Sequence, residues 1–579
     1  MAIQNNYLFR SFKIEIEVIT NTSGSQVLRV GLGIETHHRV EFMAPKKILV
    51  VGAGAAGMSC AHHLSNHPEL FNITVIESTS SCGGQAFSIP LDESRHGASW
   101  LNQGVQGGSH IFRHTFSMFR SQGYDVHPVN LQISFGKGSK FWTNVFPTKF
   151  HEAHEKEIRK FRKVLKIIKW FSLAFVFIPI KVMLRVFGFS KDFRDYMIMP
   201  SLALFLGTGN ATPEVNSVIL ERLYGSPTVG MWYDAETNDK SKKKEGVLSG
   251  NNPDMVVFPN LSEFYETWRK SLVGRGVEVR LETEVVKVLE RGKKGVKVLV
   301  RKASGKTGIE EAVEEYDELV FACLADTAKR LLGKEATWRE RFVLGRTKWS
   351  DDVTVTHWDS DYMENHYTNH FDEEQAVTAS GTGRDDSARI AQGKAFSPMY
   401  YIKPYDQEPD KLEMAFNCSA YQYQFPKYQN AANPSLAVPT TPFEHHVFQT
   451  IYLNKARDSH LWPKDSIDPS KVIQENWWHQ LCHSWTHYVF VVPWLWMINN
   501  SRHTRYCGSW TLVNAHEVAV ISGIAAAWSL GAEYPEEIER EDKGGIWEGF
   551  AVLCFRLYTL LGYGRLYKRR KDVKKFPIF

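Results

Sequence analysis

Cysteine is sparse in this chain of 579 residues. Its seven cysteines, Cys60, Cys82, Cys323, Cys418, Cys482, Cys507 and Cys554, are scattered, odd in number and without a C-x-x-C pair. That pattern argues against a disulfide framework or a zinc ribbon and favours a reducing compartment. No apolar h-region precedes a small-residue cleavage site, so no secretory signal is expected. The basic-flanked segment "KFRKVLKIIKWFSLAFVFIPIKVMLRVFGF" holds only 11 uncharged residues between Lys169 and Lys181. A spanning helix needs roughly 20. No nucleic-acid module is recognised, and the cations cluster beside long apolar faces, which argues against nucleic acid as a partner. The expected location is cytoplasmic, with peripheral attachment to an intracellular membrane left open.

What is present begins at "ILVVGAGAAGMSCAHHL", Ile48 to Leu64. Its β-branched start reads as a buried parallel strand. Gly52, Gly54 and Gly57 then form G-x-G-x-x-G, followed by Met58, Cys60, Ala61 and Leu64 at helical spacing. The first glycine permits a tight turn and the second lets backbone approach a pyrophosphate. The third, one residue past Ala56, lets the helix pack close to the strand. Alone, such a triplet is weak, because glycine turns are common. Its context is stronger. "NITVIE" reads as a second strand ending in Glu77, 20 residues after Gly57, where a carboxylate suits the adenosine ribose hydroxyls.

Gly83 and Gly84 follow Glu77 at an E-x5-G-G spacing. This arrangement resembles the extended nucleotide motif of the flavin-containing amine oxidoreductase superfamily. In that family an Arg commonly follows the glycine pair; here it is Gln85, which leaves the pyrophosphate one cation short. Further segments resemble the family in the expected order. In "LETEVVKVLERGKKGVKVLVR", Val285 sits where the family packs backbone against adenine. "YDELVFACLA" resembles the strand that returns to the nucleotide. "YCGSWTLVNAHEVAVISGIAAAWSLGA" resembles the closing strand, loop and helix at the flavin's ribityl chain and N1/O2 edge. Gly508 fits the family glycine, Ser509 replaces the usual Asp or Glu, and Glu517 and Val518 match the helix start. The resemblance covers residues 46 to 535.

It implies an α/β, amine-oxidase-like fold. A Rossmann-like FAD-binding domain would be built from discontinuous segments (43–110, 256–335 and 501–535). An α+β substrate domain would be interleaved with it (111–255 and 336–500). Residues 1–42 read as a disordered extension or a start assigned too early, since "MAPKKILVVGAG" from Met43 is a natural beginning. The implied cofactor is FAD, held non-covalently, because the family's linking Cys is not at Cys507. Cofactor contacts are expected from Gly52, Gly54, Ala56, Gly57, Glu77, Gly83, Gly84, Gln85, Val285, Gly508, Ser509, Glu517 and Val518.

Charge is uneven. From Arg556 onward, eight cations against Asp572 give +7, so the rest of a +5 chain carries −2. This tail (536–579) contains the apolar, aromatic "IWEGFAVLCFRLYTLLGYGRLY" ahead of its basic end and reads either as docking on an anionic membrane or as a solvated tail behind a core helix. The Lys160–Phe189 segment reads as an interfacial helix, a channel lid or a buried helix.

The implied activity is FAD-dependent oxidation or desaturation of a hydrophobic fatty-acyl, terpenoid or similar substrate. "RVGLGIETHH" lacks the third glycine, so a second nucleotide domain is not implied. The pair His516-Glu517 is similar to that of a branch of FAD-binding oxidoreductases linked to fatty-acyl modification. His516 is the candidate acid or base, or else a structural ring fixing the loop. Trp100 and Asn102 of "HGASWLNQG" are offered as a pocket wall. His479, His483 and His487, if helical, rise about 6 Å per step, so one ion cannot hold all three and no metal site is assigned. Alternatives are an amine oxidase, a flavin-dependent double-bond isomerase, and a non-catalytic prenyl- or lipid-binding escort protein.

Overall fold

The buried run Ile48–Val51 forms the centre of a parallel sheet, as its β-branched character predicts. The sheet orders its strands Glu278–Arg280, Phe71–Ile76, Lys46–Val51, Glu318–Phe321 and Thr504–Tyr506, and every neighbouring pair is parallel. Three distant stretches of chain therefore share one sheet. Side chains alternate across it. Ile48 and Val50 join the cluster that contains Met58, Ala61 and Ile524, from the helices Ala55–Leu64 and His516–Leu530. Leu49 and Val51 join the cluster of Val285, Val298 and Val300. Those valines belong to the antiparallel meander Thr283–Gly292, Gly295–Ser304 and Gly308–Tyr316. Covering both faces is what an all-parallel sheet requires.

This computed structural model describes residues 9–20, 26–37, 44–206, 209–224, 254–304, 308–377, 390, 393–430, 433–541 and 549–568. A second sheet runs Trp142–Thr143, Ile133–Phe135, Tyr400–Pro404, Leu412–Asn417, Phe448–Tyr452, Trp349–His357 and Val472–Leu481. Its pairings are antiparallel except that of Ile133–Phe135 with Tyr400–Pro404. Ile402 and Met414 from this sheet share a core with Phe161, Leu165, Met183 and Leu220 from helices between residues 155 and 224. Lys46–Phe579 form one compact unit containing both sheets; Met1–Pro45 form another.

Several expectations change on contact with the structure. Where disorder is one reading of the first 42 residues, Phe9–Thr20 and Gln26–His37 pair as an antiparallel ribbon. The alternation in "FKIEIEVIT" has the period of a strand. The three histidines do not share a helix. His479 lies in the strand Val472–Leu481, His483 lies in the following loop, and His487 lies in the short helix Trp485–Phe490. The Lys160–Phe189 segment is broken into the helices Glu155–Trp170, Ser172–Phe175 and Ile180–Val186. Among the described residues no helix is long and apolar enough to cross a membrane. Phe550–Tyr563 is a helix that buries Val552, Phe555, Tyr558 and Tyr563 against the core while exposing Leu553, Leu557 and Leu560. The cations from Arg569 onward lie outside the described residues.

The helices Ala55–Leu64 and His516–Leu530 meet with no clearance. A Cβ on Gly523 would lie 2.2 Å from the Ala56 carbonyl oxygen and 2.9 Å from the Cys60 nitrogen. Gly523→Ala is expected to cost about 1–3 kcal/mol, the range for overpacking a well-filled contact. Gly274, at the end of the helix Leu261–Gly274, has open space around its virtual Cβ. Gly274→Ala should be neutral or stabilising by about 0.4–1 kcal/mol. Chemical denaturation of the two variants in parallel checks the contrast.

Candidate active site

The turn after Lys46–Val51 leaves Gly52 at φ +105°, and a Cβ there would meet the Ala322 oxygen at 2.8 Å. At Gly57 it would meet the Gly52 oxygen at 1.9 Å. These two glycines are steric necessities of the turn. Gly54 differs: its virtual Cβ has nothing nearer than Gly83 and Gly84 backbone at 4.0 Å, so its inner side stays open. The helix Ala55–Leu64 that begins there has no side-chain cap. Its first amides and its positive end are therefore available to an anion. Glu77 closes the turn: its Oε2 accepts from the Ala53 N–H at 2.8 Å and its Oε1 from the Thr79 N–H at 2.9 Å. Gly83 and Gly84 sit at φ +116° and +61°, with the Gly83 N–H bonded to the Ala53 oxygen.

This turn opens on a cavity of about 1000 Å³. Gly52, Gly54, Ala56, Glu77, Gly83, Gly84, Gln85, Val285, Gly508, Ser509 and His516 all border it. The Gln85 amide donates to the His479 carbonyl at 3.3 Å. Gly508, at φ +141°, donates its N–H to Ser522 Oγ at 2.8 Å, and the Ser509 hydroxyl donates to Asn514 Oδ1 at 3.1 Å. Gly57, Glu517 and Val518 do not border the cavity. Cys507 is buried in the core among the helices, whereas Cys323 borders the cavity. Trp100 and Asn102 are not the wall expected of them. Asn102 is fully buried and donates to the Phe258 and Pro259 carbonyls, and the wall starts two residues later at Gly104.

Glu517 points away from the cavity for a clear reason. It receives the His114 N–H at 3.1 Å, His114 Nδ1 at 2.6 Å and the Thr115 N–H at 2.8 Å, at the start of the helix Arg113–Ser121. Burial raises its pKa, but the His114 charge and these hydrogen bonds together hold the carboxyl below the usual glutamate range. His516 is likewise engaged at both ring nitrogens, with the Tyr265 hydroxyl at 2.7 Å and the Thr115 hydroxyl at 3.0 Å. Burial pushes the imidazole down to about 4, with Glu517 acting the other way. With both ring nitrogens hydrogen-bonded inside the protein, His516 ties Thr115 and Tyr265 together at the edge of the cavity it borders.

Two cavity residues had escaped the motif reading. Arg330, on the helix Ala325–Leu332, is the one Lys or Arg among the described residues that border the cavity. Asp352 lies on the strand Trp349–His357 and is 5% exposed. Its Oδ1 accepts from the Asn454 N–H at 2.8 Å and the Ser350 hydroxyl at 2.7 Å. Burial pushes its carboxyl up to about 6, with Asp351 and Asp458 adding to the rise. Thr354, two residues on, borders the same cavity, as strand alternation dictates. Beyond these polar groups the wall turns apolar and aromatic, with Leu131, Ile219, Tyr400, Met414, Phe416 and Ile451. His479 is tied to Asp351 at 2.6 Å and to Asp326 at 3.2 Å.

A family model for an NAD(P)-binding Rossmann-like domain matches residues 50–120. Putrescine oxidase, solved with putrescine, is similar at a TM-score of 0.52 and 12% identity, covering 84% of this chain and 99% of that one. The fold is amine-oxidase-like. Cyclohexylamine oxidase from Brevibacterium oxydans gives 0.50 and 12%, covering 86% and 100%. A CLA-producing fatty acid isomerase from P. acnes gives 0.50 and 14%, covering 83% and 98%. No curated protein matches the chain in sequence. In this amine-oxidase-like frame the glycine turn and Glu77 occupy one part of a continuous cavity, and the apolar wall occupies the other.

The buried histidines set an acid limit. Burial pushes His516, His63, His446 and His487 down to about 4, and His357 and His483 down to about 3. The unfolded chain binds these protons below the ordinary value of 6.5, while the folded chain does not until about 4. Stability should therefore fall as pH drops from 6.5 towards 4. Denaturant midpoints across that window check this, and His516→Gln should flatten the slope by about one proton.

Proposed function

We propose that this chain is an FAD-dependent oxidoreductase that oxidises or desaturates a hydrophobic substrate. One observation carries the reading. A single cavity joins an uncapped helix N-terminus, Gly54 and Glu77 to a wall of Leu131, Tyr400, Met414 and Phe416. The cradle fits an adenine dinucleotide. Gly54 leaves room for close approach of a pyrophosphate, the amides of Ala55 and Ala56 face it, and Glu77 Oε2 has a lone pair left for a ribose hydroxyl. FAD held there supplies a two-electron, hydride-accepting centre. Arg330 contributes positive charge at the cavity wall, in a site where Gln85 and Ser509 carry none.

The chain's own part is orientation and proton handling. The apolar wall excludes water and aligns a hydrocarbon substrate. Asp352 is the ionisable group we assign to proton transfer, because it borders the cavity and only its Oδ1 is held by Asn454 and Ser350. Above about pH 6 it is an anion able to accept the proton that a substrate releases along with its hydride. His516, at the cavity border, is held in place by the Thr115 and Tyr265 hydroxyls behind it.

A second reading, amine oxidase, has one observation in its favour: the same Asp352 carboxylate would pair with a substrate ammonium. Purified protein should be yellow and should release FAD, not FMN, on heating. Anaerobic mixing with a long-chain or terpenoid-like substrate should bleach it without NADPH, whereas bleaching by amines alone selects the second reading. A shifted double bond with no acceptor reduced would indicate an isomerase. A colourless protein that takes up no FAD would favour an escort role.

Asp352→Asn should slow bleaching by roughly 10²–10⁴-fold, as for a lost acid-base group. It should also remove the rate rise through about pH 6, with flavin content unchanged.

A further inference from the structure

Between residues 158 and 191 the chain has nine Lys or Arg (Arg159 through Lys191) and no Asp or Glu. The same stretch carries the most exposed apolar side chains among the described residues. Trp170 is 85% exposed and Leu173 80%, and Phe171, Phe177 and Val186 are exposed beside them. These side chains are not the loose end of an unpacked segment. Phe161, Ile168, Phe175, Ile180 and Leu184, from the same three short helices, are buried in the core. One side of the broken helical hairpin is anchored, and its tip is bare.

A patch of this kind marks an interaction site. Its charge selects the occupant. Arg159 and Lys181 are paired with Glu155 and Glu214, but a second copy would still bring Lys163, Lys166, Lys169 and Arg185 face to face with their own kind, and like charges repel. An anionic lipid surface satisfies both features, since headgroups pair with Lys163, Lys166, Lys169 and Arg185 while the apolar tip enters the acyl boundary. No described helix is long and apolar enough to cross a membrane, so the hairpin lies on the surface.

Its position in the fold adds a purpose. The helix Val218–Tyr224 packs against both Glu155–Trp170 and Ser172–Phe175, and its Ile219 borders the apolar part of the cavity. One helix therefore separates the bare tip from the substrate wall. We propose that the hairpin of residues 166–186 docks on an anionic bilayer and brings the apolar part of the cavity to a substrate dissolved in the lipid. The docking stands on the surface alone; the delivery of substrate rests on the function proposed above.

The test is sedimentation of the full-length protein with phosphatidylcholine vesicles, with and without phosphatidylglycerol, at low and high salt. Binding should require phosphatidylglycerol and weaken with salt. The double variant Trp170→Glu/Leu173→Glu should reduce it by roughly tenfold or more, because both changes put charge at the apolar boundary. The variant should keep its flavin content and melting temperature, since both side chains are solvent-exposed. Equal sedimentation of variant and wild type overturns the proposal. So does a concentration-dependent dimer that the variant abolishes, which would assign the patch to a second copy. A variant that loses its melting transition is replaced by Phe177→Ser, which is held to the same comparison. Vesicle binding is read without substrate or turnover, so an inactive or colourless protein leaves the result interpretable.

Discussion

The contact between the glycine-turn helix and the closing helix is the constraint on which the rest depends. Gly57 sits against the Gly52 carbonyl, and Gly523 sits against Ala56 and Cys60, with no room for a methyl group at either place. That closeness draws residues near 54 and near 523 together and completes a parallel sheet from three separated stretches. It also aims the uncapped end of Ala55–Leu64 into the cavity. Larger residues at these glycines would separate the helices and shift the uncapped helix end away from the cavity.

A second lock sits beside the first. Glu517 is a buried carboxylate, which is costly to desolvate unless it is paired and hydrogen-bonded. Two amides and the His114 ring meet that need, while His114 Nε2 is in turn bonded to the Tyr534 hydroxyl at 2.9 Å. The closing helix is thereby tied to Arg113–Ser121. His516 joins the same arrangement through Thr115 and Tyr265. These hydrogen bonds fix the start of the closing helix, where His516 borders the cavity.

The antiparallel sheet supplies the cavity's other polar groups. Its strand Trp349–His357 presents Asp352 and Thr354 to the cavity, with Thr354 held by Trp478 Nε1 at 2.9 Å. Neighbouring strands present Tyr400, Met414, Phe416 and Ile451 to the same space. A carboxyl at the border of an apolar chamber pays for poor solvation with a raised pKa, which brings its titration into the range where proton transfer is useful. Behind that chamber, the helices from Glu155 to Tyr224 pair a packed inner side with a bare, cationic outer one.

The sequence by itself determined the nucleotide half. Glycine spacing, a strand ending in Glu77 and the pair Gly83-Gly84 are local signals, because each reflects a backbone conformation or a close approach that few residues allow. The alternating valines from Val285 likewise read as strands, which the structure joins into a meander. Beyond Glu77 and His516, tertiary structure decided which ionisable groups face the cavity. Glu517 and His516 fall within the expected motif, yet three hydrogen bonds turn Glu517 away and two occupy His516. Asp352 and Arg330 belong to no motif, and they reach the cavity because sheet register and helix packing carry them there. The histidines of "HQLCHSWTH" read alike in sequence, but strand, loop and helix send them to different neighbours. Local conformation is written in adjacent residues, whereas orientation towards a shared cavity depends on contacts between segments hundreds of residues apart.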